Sequence, residues 1–346
     1  MENATANETS IDLICSYLEP NTTCPLPSDS EYRLIKRICA AASSQSYVLF
    51  TIALLFGLPG SILTSLTVFR MPLKPSTLYI RLLSGSDFAA LAVASLTYYK
   101  TLDMQRATDW EEVSKWIGRG FQAFSHWLLV LICIERFVSV RFPLHKSKLY
   151  TMSTARWTCL AAMFLSSIPL ALFSLHFSET VVHKKFRFYY IVVYLSIYAF
   201  VPMSLIVAFT SLTAAELKRT QGRRRALRAA GSNTNGASKM EADLTRMMFL
   251  SAIFFVLLIL PFFLFHSFDR IDDYWLHLRF CPVHAAIEYI ALFTGSSLCF
   301  LNHAINFYIY IFGAQGFRKQ FLLLIHWKDK EKEKLHGRTT ALSTVS

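Results

Sequence analysis

The stretch Leu301-Asn-His-Ala-Ile-Asn-Phe-Tyr-Ile-Tyr310 lies in the last of seven long apolar segments of this chain. Asn302, Asn306 and Tyr310 recur at every fourth position, which places their side chains on one face of a helix. Polar groups in a lipid-soluble segment are costly unless they have buried partners. Two explanations follow: neighbouring helices satisfy these groups structurally, or the groups belong to a functional site.

The apolar segments predict an all-α protein, a bundle of seven transmembrane helices. The chain has 346 residues, of which 53% are hydrophobic and only 17% are charged, whereas soluble proteins carry about 25% charged residues. A helix of about 20 apolar residues is long enough to cross a membrane. The predicted spans are 47–69, 77–98, 117–140, 157–177, 189–212, 247–268 and 284–312.

The distribution of charge orients the predicted bundle. The segments on one side carry a large excess of Lys and Arg over acids; they are 70–76, 141–156, 216–246 and 316–346. By the positive-inside rule these segments are cytoplasmic, so the N-terminus is extracellular and the C-terminus is cytoplasmic. The net charge of +12 then requires no nucleic-acid partner. The basic cluster at 218–228 has three interpretations: contact with anionic membrane lipid, contact with a partner protein, or exposure to solvent.

The first 46 residues have features of an extracellular tail. Asn-x-Ser/Thr sequons occur at Asn3, Asn7 and Asn21, and we expect these to accept glycans. The chain starts Met1-Glu-Asn-Ala-Thr, with neither a basic start nor an apolar run, so no cleavable signal peptide is predicted. We expect the first membrane helix to act as the signal anchor.

The seven cysteines fall into two groups. Those within spans are expected to be packing residues; they are Cys133, Cys159 and Cys299. Those outside the spans lie where disulfides persist; they are Cys15, Cys24, Cys39 and Cys281. Four cysteines allow three connectivities, and we favour Cys39 with Cys281 and Cys15 with Cys24.

Two further spans contain charged residues. The third span ends Ile134-Glu135-Arg136-Phe137, where an acid and a base can hold each other or extend to water at the membrane surface. The second span places Asp87 at mid-membrane depth, where a carboxyl must be protonated in a hydrogen-bonded core or paired with a cation. Oxygen atoms sufficient for a sodium ion are predicted at Asp87, Ser125, Asn302 and Asn306.

With these residues, the chain resembles the rhodopsin-like (class A) G-protein-coupled receptors from residue 47 to about residue 327. Glu135-Arg136-Phe137 stands at the family's Glu/Asp-Arg-Tyr motif, and Asn306 to Tyr310 at its Asn-Pro-x-x-Tyr motif. Further matches are the four sodium-pocket residues, the bend prolines Pro202 and Pro261, and the aromatic switch residue Phe255. The resemblance implies a receptor that responds to an extracellular ligand, engages a heterotrimeric G protein and arrestin, and holds an allosteric sodium ion but no other cofactor.

The resemblance also divides the chain. It implies an extracellular tail (1–46), the helical bundle (47–312), an amphipathic eighth helix (313–327) and a cytoplasmic tail (328–346). Within the last of these helices, the stretch Gly316-Phe-Arg-Lys-Gln-Phe321 resembles the family's short amphipathic eighth helix. Its expected apolar face consists of Phe317, Phe321, Leu324 and Ile325.

A narrower likeness concerns the ligand. Gly57 to Leu63, Ser125-His-Trp127 and Leu301 to Phe307 are similar to invertebrate FMRFamide-type and orphan neuropeptide receptors, which commonly have Phe at the Phe307 position. This likeness implies a neuropeptide ligand; the alternative is a chemosensory receptor for a small molecule. The chain has no metalloprotease or serine-hydrolase motif and no inverted repeat, so we expect neither an enzyme nor a transporter.

Four positions depart from the family pattern. Ser61 replaces Asn in the first helix, Ile259 replaces Trp above the sixth-helix bend, and Thr210 replaces Tyr in the fifth helix. Glu111 stands where the family has a third-helix cysteine, and residues 178–188 contain no Cys. The family's commonest disulfide therefore cannot form.

The ligand pocket is expected in the outer third of the bundle. Gly118 stands where aminergic receptors have Asp, and residues 284–312 contain no Lys for a retinal Schiff base, so neither of these ligand classes is expected. Aromatic walls with a few polar groups suit a peptide or a mid-sized organic ligand. The residues expected to contact it are Tyr98, Tyr99, Arg119, Gln122, Tyr194, Phe262, His266 and Glu288. Glu288 and the acids within 269–273 would bind an Arg of the ligand, and Gln122 a terminal amide.

Overall fold

The computed structural model describes residues 28–102, 109–178, 192–229, 237–271 and 282–325. These residues form seven long helices and contain no β-strand, which confirms the predicted all-α bundle of seven helices. The helices are α1 (Asp29–Phe69), α2 (Pro75–Leu102), α3 (Asp109–Arg141), α4 (Met152–Ser178), α5 (Val201–Ala229), α6 (Ala237–Ile271) and α7 (Pro282–Gly313). An eighth helix, α8, covers 315–325, and a single turn, Lys146–Leu149, lies between α3 and α4.

The helices have the dimensions of membrane spans. Within the described residues, six of them, all but α4, are long and apolar enough to cross a membrane. The helix α4 has 27 residues, which also exceeds the length that a crossing requires. Polar residues buried between the helices include Asp87, His126 and Glu135, whereas the apolar residues Leu55, Phe164 and Leu257 are exposed on the outside of the bundle. An exposed apolar exterior is expected for helices that face lipid.

The first helix begins within the stretch assigned to the tail. Ser28 caps it: the backbone N–H of Ser28 donates to Glu31 Oε2 at 2.7 Å, and the backbone N–H of Glu31 donates to Ser28 Oγ at 3.4 Å. This reciprocal pair is a capping box. The predicted first span lacks this extension because the first turns of α1 bury only a narrow stripe, Ile35 and Cys39, against Ala286 of α7.

Cys39 is a free, buried thiol in this stripe, so the expected disulfide to Cys281 is not present. The physical reason is that Cys39 packs among Ile35 and Ala286, where it acts as a small apolar side chain. Cys133, Cys159 and Cys299 are also buried and free, as predicted for packing residues. The other external cysteines, Cys15, Cys24 and Cys281, lie outside the described residues, as do the sequons at Asn3, Asn7 and Asn21.

Two glycines allow α1 to approach α7 closely. A Cβ built on Gly60 would lie 3.1 Å from Phe307 Cβ, and one built on Gly57 would lie 2.9 Å from Ala304 Cβ. A Cβ at either position would therefore push against α7, most strongly at Gly57, where backbone as well as side-chain atoms are near. This contact sets the position of α7, which carries the polar stripe described above.

Candidate functional site

A buried carboxylate, Asp87 of α2, is the centre of the polar cluster in the bundle. Ser125 of α3 donates its hydroxyl to Asp87 Oδ1 at 2.6 Å. On α7, His303 Nδ1 lies 2.8 Å from the same oxygen, and Asn306 Nδ2 donates to Asp87 Oδ2 at 2.7 Å. Asp87 is 1% exposed, so its carboxyl oxygens find their hydrogen-bond partners in these three side chains rather than in solvent.

The structure brings together three of the four residues expected around a sodium ion. Asn302 is buried, but it makes no hydrogen bond to Asp87. His303 takes its place, and the sequence interpretation missed it because it followed the stripe of every fourth residue. The spacing of His303, Asn306 and Tyr310 also places residues on one helical face. The sequence did contain a signal for this second face, because His303 is a polar residue in the middle of an apolar span.

Two imidazole rings lie next to each other in this core. The rings of His303 and His126 are stacked, with centroids 5.5 Å apart and planes 6° apart. Phe255, the expected switch residue of α6, is fully buried and packs edge-on against His126 at 4.9 Å. The Nε2 atoms of His126 and His303 are both buried and have no hydrogen-bond partner.

A proline in the fifth span leaves free the backbone carbonyl that contacts His126. The π-helical turn Ser196–Phe200 precedes α5, and Pro202 lies just after it. Pro202 has no N–H to donate to the carbonyl of Tyr198, four residues earlier. His126 Nδ1 lies 2.8 Å from that carbonyl oxygen. The irregular backbone therefore connects α5 to the histidine pair on α3 and α7.

A cavity of about 220 Å³ lies directly beyond this core. Four of the residues predicted to bind a ligand line it: Arg119, Gln122, Tyr194 and Phe262. Further lining residues that the sequence interpretation did not select include Lys115, Tyr198, Ser296 and Cys299. These residues come from four different parts of the chain, so only the tertiary structure shows that they share one cavity.

The other predicted ligand-binding residues lie near the cavity or outside the described set. His266 stacks on Phe262 with ring centroids 5.3 Å apart, and Pro261 lies inside α6 next to Phe262. The side chains of Tyr98, Tyr99 and Glu288 lie outside the described residues, and so does the acidic stretch 272–273.

The polar groups of the cavity are oriented by aromatic neighbours. The Arg119 guanidinium lies 4.5 Å from the centroid of the Trp116 ring and 5.9 Å from that of Tyr194, distances at which cation–π attraction operates. The Tyr198 hydroxyl donates to Gln122 Oε1 at 3.0 Å. The amide nitrogen of Gln122 is then the atom with which this side chain can donate to a ligand.

A network of charges lies at the other end of α3. Arg136 Nε donates to Glu135 Oε2 at 2.7 Å, so the predicted acid–base pair is formed. The other oxygen of the same carboxylate, Glu135 Oε1, lies 3.1 Å from Lys146 Nζ, in the turn between α3 and α4. Tyr150 follows this turn. Burial raises the pKa of the Tyr150 phenol above its ordinary value, so the side chain remains neutral near Glu135. Lys146 was not predicted, because its contact depends on how the loop folds back.

The end of α7 docks onto α8 through aromatic rings. Tyr310 is 2% exposed and packs against Phe317, with ring centroids 5.6 Å apart. Phe307, which stands where the family pattern has Pro, packs against Phe321 at 5.4 Å. Of the expected apolar face of α8, Phe317 and Phe321 therefore face the bundle, whereas Ile325 is exposed.

Comparison with known proteins assigns the bundle to a family. No curated protein matches the chain. The model of the 7 transmembrane receptor (rhodopsin family) matches residues 60–310, which include α2 to α6 and nearly all of α7. Since this match covers most of the chain, the protein belongs to the rhodopsin family of seven-transmembrane receptors.

Proposed function

We propose that this cell-surface receptor binds an extracellular peptide in the cavity next to Arg119 and Gln122, and in response activates a heterotrimeric G protein. The observation that supports this best is the placement of two sites at opposite ends of α3. The ligand-sized cavity includes Arg119 and Gln122, and the Glu135–Arg136 pair lies at the far end of the same helix. A ligand that moves α3 can thereby change the contacts of Arg136.

The proposed orientation places the Arg136 end in the cytoplasm. The segments at that end carry the excess of Lys and Arg, as the positive-inside rule requires. The cavity then opens to the extracellular side, where a glycosylated tail would lie. The G protein, arrestin and anionic lipid are the expected partners of the cytoplasmic face.

The cavity supports a peptide ligand through its mixture of groups. Aromatic walls at Tyr194 and Phe262 offer apolar area, and the Gln122 amide can donate to a carbonyl oxygen of a peptide. Arg119 adds a cation, stacked on Trp116, that suits a carboxylate. An Arg of the peptide would instead be bound by Glu288 and the acids within 269–273, whose side chains lie outside the described residues.

A small organic anion is the second candidate ligand. Among the described residues that line the cavity, the charged ones are Lys115 and Arg119, and both are cationic. The cavity volume of about 220 Å³ also accommodates a small molecule that is not part of a peptide. A calcium or cyclic-nucleotide assay against a neuropeptide library and a library of small carboxylates separates the two candidates. Activation by small carboxylates alone would contradict the peptide proposal.

The charge of Arg119 gives a prediction for any agonist with a carboxylate. Arg119→Met keeps a long side chain on Trp116 but removes the charge. We expect the potency of that agonist to fall at least tenfold, equivalent to about 1.4 kcal/mol, because a charge-assisted hydrogen bond is lost. The matched control is the same agonist with its carboxylate converted to an amide, which should lose little. Equal losses for both agonists would show that Arg119 only packs against Trp116.

Lys146 gives a prediction for basal signalling. We expect Lys146→Met to raise ligand-independent G-protein activation about twofold to fivefold, because a partly exposed ion pair contributes up to about 1 kcal/mol. The Lys146 ammonium holds Glu135 in the conformation in which Glu135 also pairs with Arg136. The measurement is nucleotide exchange without ligand at matched receptor number. Lys148→Met is the control, since Lys148 is exposed on the same turn; an equal rise there would contradict the role of the Lys146–Glu135 contact.

A further inference from the structure

The carboxylate of Asp87 is surrounded by hydrogen-bond donors. A sodium ion on Asp87, which the family resemblance implies, needs oxygen atoms whose lone pairs point at the ion. Three donor groups point at the carboxylate instead: the Ser125 hydroxyl, the His303 imidazole and the Asn306 amide nitrogen. Ser125 and Asn306 can also offer an oxygen to a cation after rotation of the side chain, whereas the His303 imidazole presents a partly positive hydrogen as long as its Nδ1 donates to Asp87. The side chains found here therefore do not fit a sodium ion.

The two carboxylate oxygens of Asp87 also have little capacity left for a cation. Each oxygen of an ionised carboxylate has about two lone-pair positions. Oδ1 of Asp87 accepts from Ser125 at 2.6 Å and from His303 at 2.8 Å, so both of its positions are used. Oδ2 accepts from Asn306 at 2.7 Å. One lone-pair position remains, and Asn302, a further expected sodium ligand, makes no hydrogen bond to Asp87 in this arrangement.

The hydrogen of His303 can be assigned from its partner. An ionised carboxylate only accepts hydrogen bonds, so Nδ1 of His303 must carry a proton in order to contact Asp87. This holds for the neutral and for the charged imidazole alike. The carbonyl of Tyr198 likewise requires the proton of His126 to be on Nδ1. The unpartnered Nε2 atom of each ring can then be the bare nitrogen of a neutral imidazole, which is a smaller cost than an unpartnered N–H.

We propose that His303 takes the position of the cation on Asp87 and closes this site to sodium. The ring is held in place on both sides: Asp87 binds its Nδ1, and the stacked ring of His126 covers its face. His303 is 1% exposed, and close packing in a protein interior opposes movement of the ring away from Asp87. The family's allosteric sodium is thus replaced by a residue of the chain itself.

The same arrangement connects the cation site to the ligand cavity. Gln122 accepts from the Tyr198 hydroxyl, and the Tyr198 carbonyl accepts from His126. His126 stacks on His303, which binds Asp87. A displacement of Tyr198 by a ligand therefore reaches Asp87 through side chains in direct contact. In this receptor the histidine pair fills the place between cavity and carboxylate where the family would have an ion.

The test is the thermal stability of the purified full-length receptor in sodium chloride and in choline chloride at equal ionic strength. We expect the same Tm for the unchanged receptor in both salts. A sodium-dependent rise of its Tm would overturn the proposal without any variant being needed. The measurement uses sodium alone as the probe, so it is independent of the proposed ligand and of the proposed G-protein coupling.

A gain of sodium binding tests the specific role of His303. The substitution His303→Ser removes the imidazole and adds a hydroxyl oxygen beside Asp87. We expect sodium to raise the Tm of this variant by about 2–4 °C. This is the shift expected when the sodium concentration is roughly ten-fold above the Kd of the site. Adding Asp87→Asn to the variant should abolish that rise, because it removes the charge that binds the ion. If His303→Ser does not fold, His303→Asn provides the same opening with a larger polar side chain. A folded variant that remains indifferent to sodium would show that His303 is not what excludes the ion.

Discussion

Replacing Arg136 with Ala is expected to abolish G-protein activation while surface expression and ligand binding persist. The Arg136 guanidinium is almost completely buried and is held by Glu135 at the end of α3 that we propose to be cytoplasmic. The proposed active state releases this guanidinium to contact the α subunit of the G protein when α6 moves outward. Alanine cannot make that contact, and the cavity around Arg119 lies at the far end of the helix. The measurement is agonist-stimulated nucleotide exchange, normalised to the receptor at the cell surface.

The control for this variant is Arg156→Ala. Arg156 is an exposed cation at the start of α4, at the same end of the bundle. Its replacement changes the net charge of this end of the bundle by the same amount, and we expect most of the signalling to remain. Full signalling by Arg136→Ala, with normal expression, would contradict the proposed mechanism of coupling. Equal loss in both variants would indicate that the overall positive charge matters rather than the Glu135–Arg136 pair.

The second large effect is expected at the contact between α1 and α7. A Cβ on Gly57 would lie 2.9 Å from Ala304 Cβ and 3.0 Å from Ala304 Cα, and the latter is a backbone atom that cannot rotate away. Gly57→Ala therefore forces the two helices apart, and overpacking of this kind costs about 1–3 kcal/mol. We expect a Tm lower by several degrees and a reduced amount of receptor at the cell surface.

Gly85→Ala is the matched control for this change. A Cβ on Gly85 would meet no atom within 4 Å. Alanine also stabilises a helix interior by about 0.5–1 kcal/mol relative to glycine, so the Tm should stay the same or rise. A Gly57→Ala receptor as stable as the Gly85→Ala receptor would show that α1 can shift without cost, and that this contact does not set the position of α7.

The length and apolar composition of the segments were sufficient to predict the helices. The free energy of placing about 20 apolar residues in a membrane depends on composition and length, which are properties of the sequence alone. The bundle, the Glu135–Arg136 pair and the buried position of Asp87 were therefore predictable. The pairing of Glu135 with Arg136 was accessible because the two residues are neighbours in the chain. The start of α1 was missed because its capping box stabilises a helix that is apolar on only a narrow stripe.

Contacts between distant residues were decided by the tertiary structure. The sequence placed Asn302 and His303 side by side on α7, and both faces of the helix carried polar residues. Which of the two side chains contacts Asp87 depends on the rotation of α7 about its axis. The close contacts of α7 with Gly57 and Gly60, more than 240 residues away in the chain, are among those that restrict this rotation.

The sequence by itself therefore determined the number of long helices, their order and which of them carry buried charged residues, because these depend on the local cost of exposing polar groups to lipid. Only the tertiary structure decided that His303 rather than Asn302 binds Asp87, that Lys146 holds Glu135, and that Tyr198 joins the cavity to His126. Each of these contacts joins separate helices or loops. Their distances depend on how close-packed side chains fix the rotation and spacing of neighbouring helices, and no periodicity within one segment contains that information.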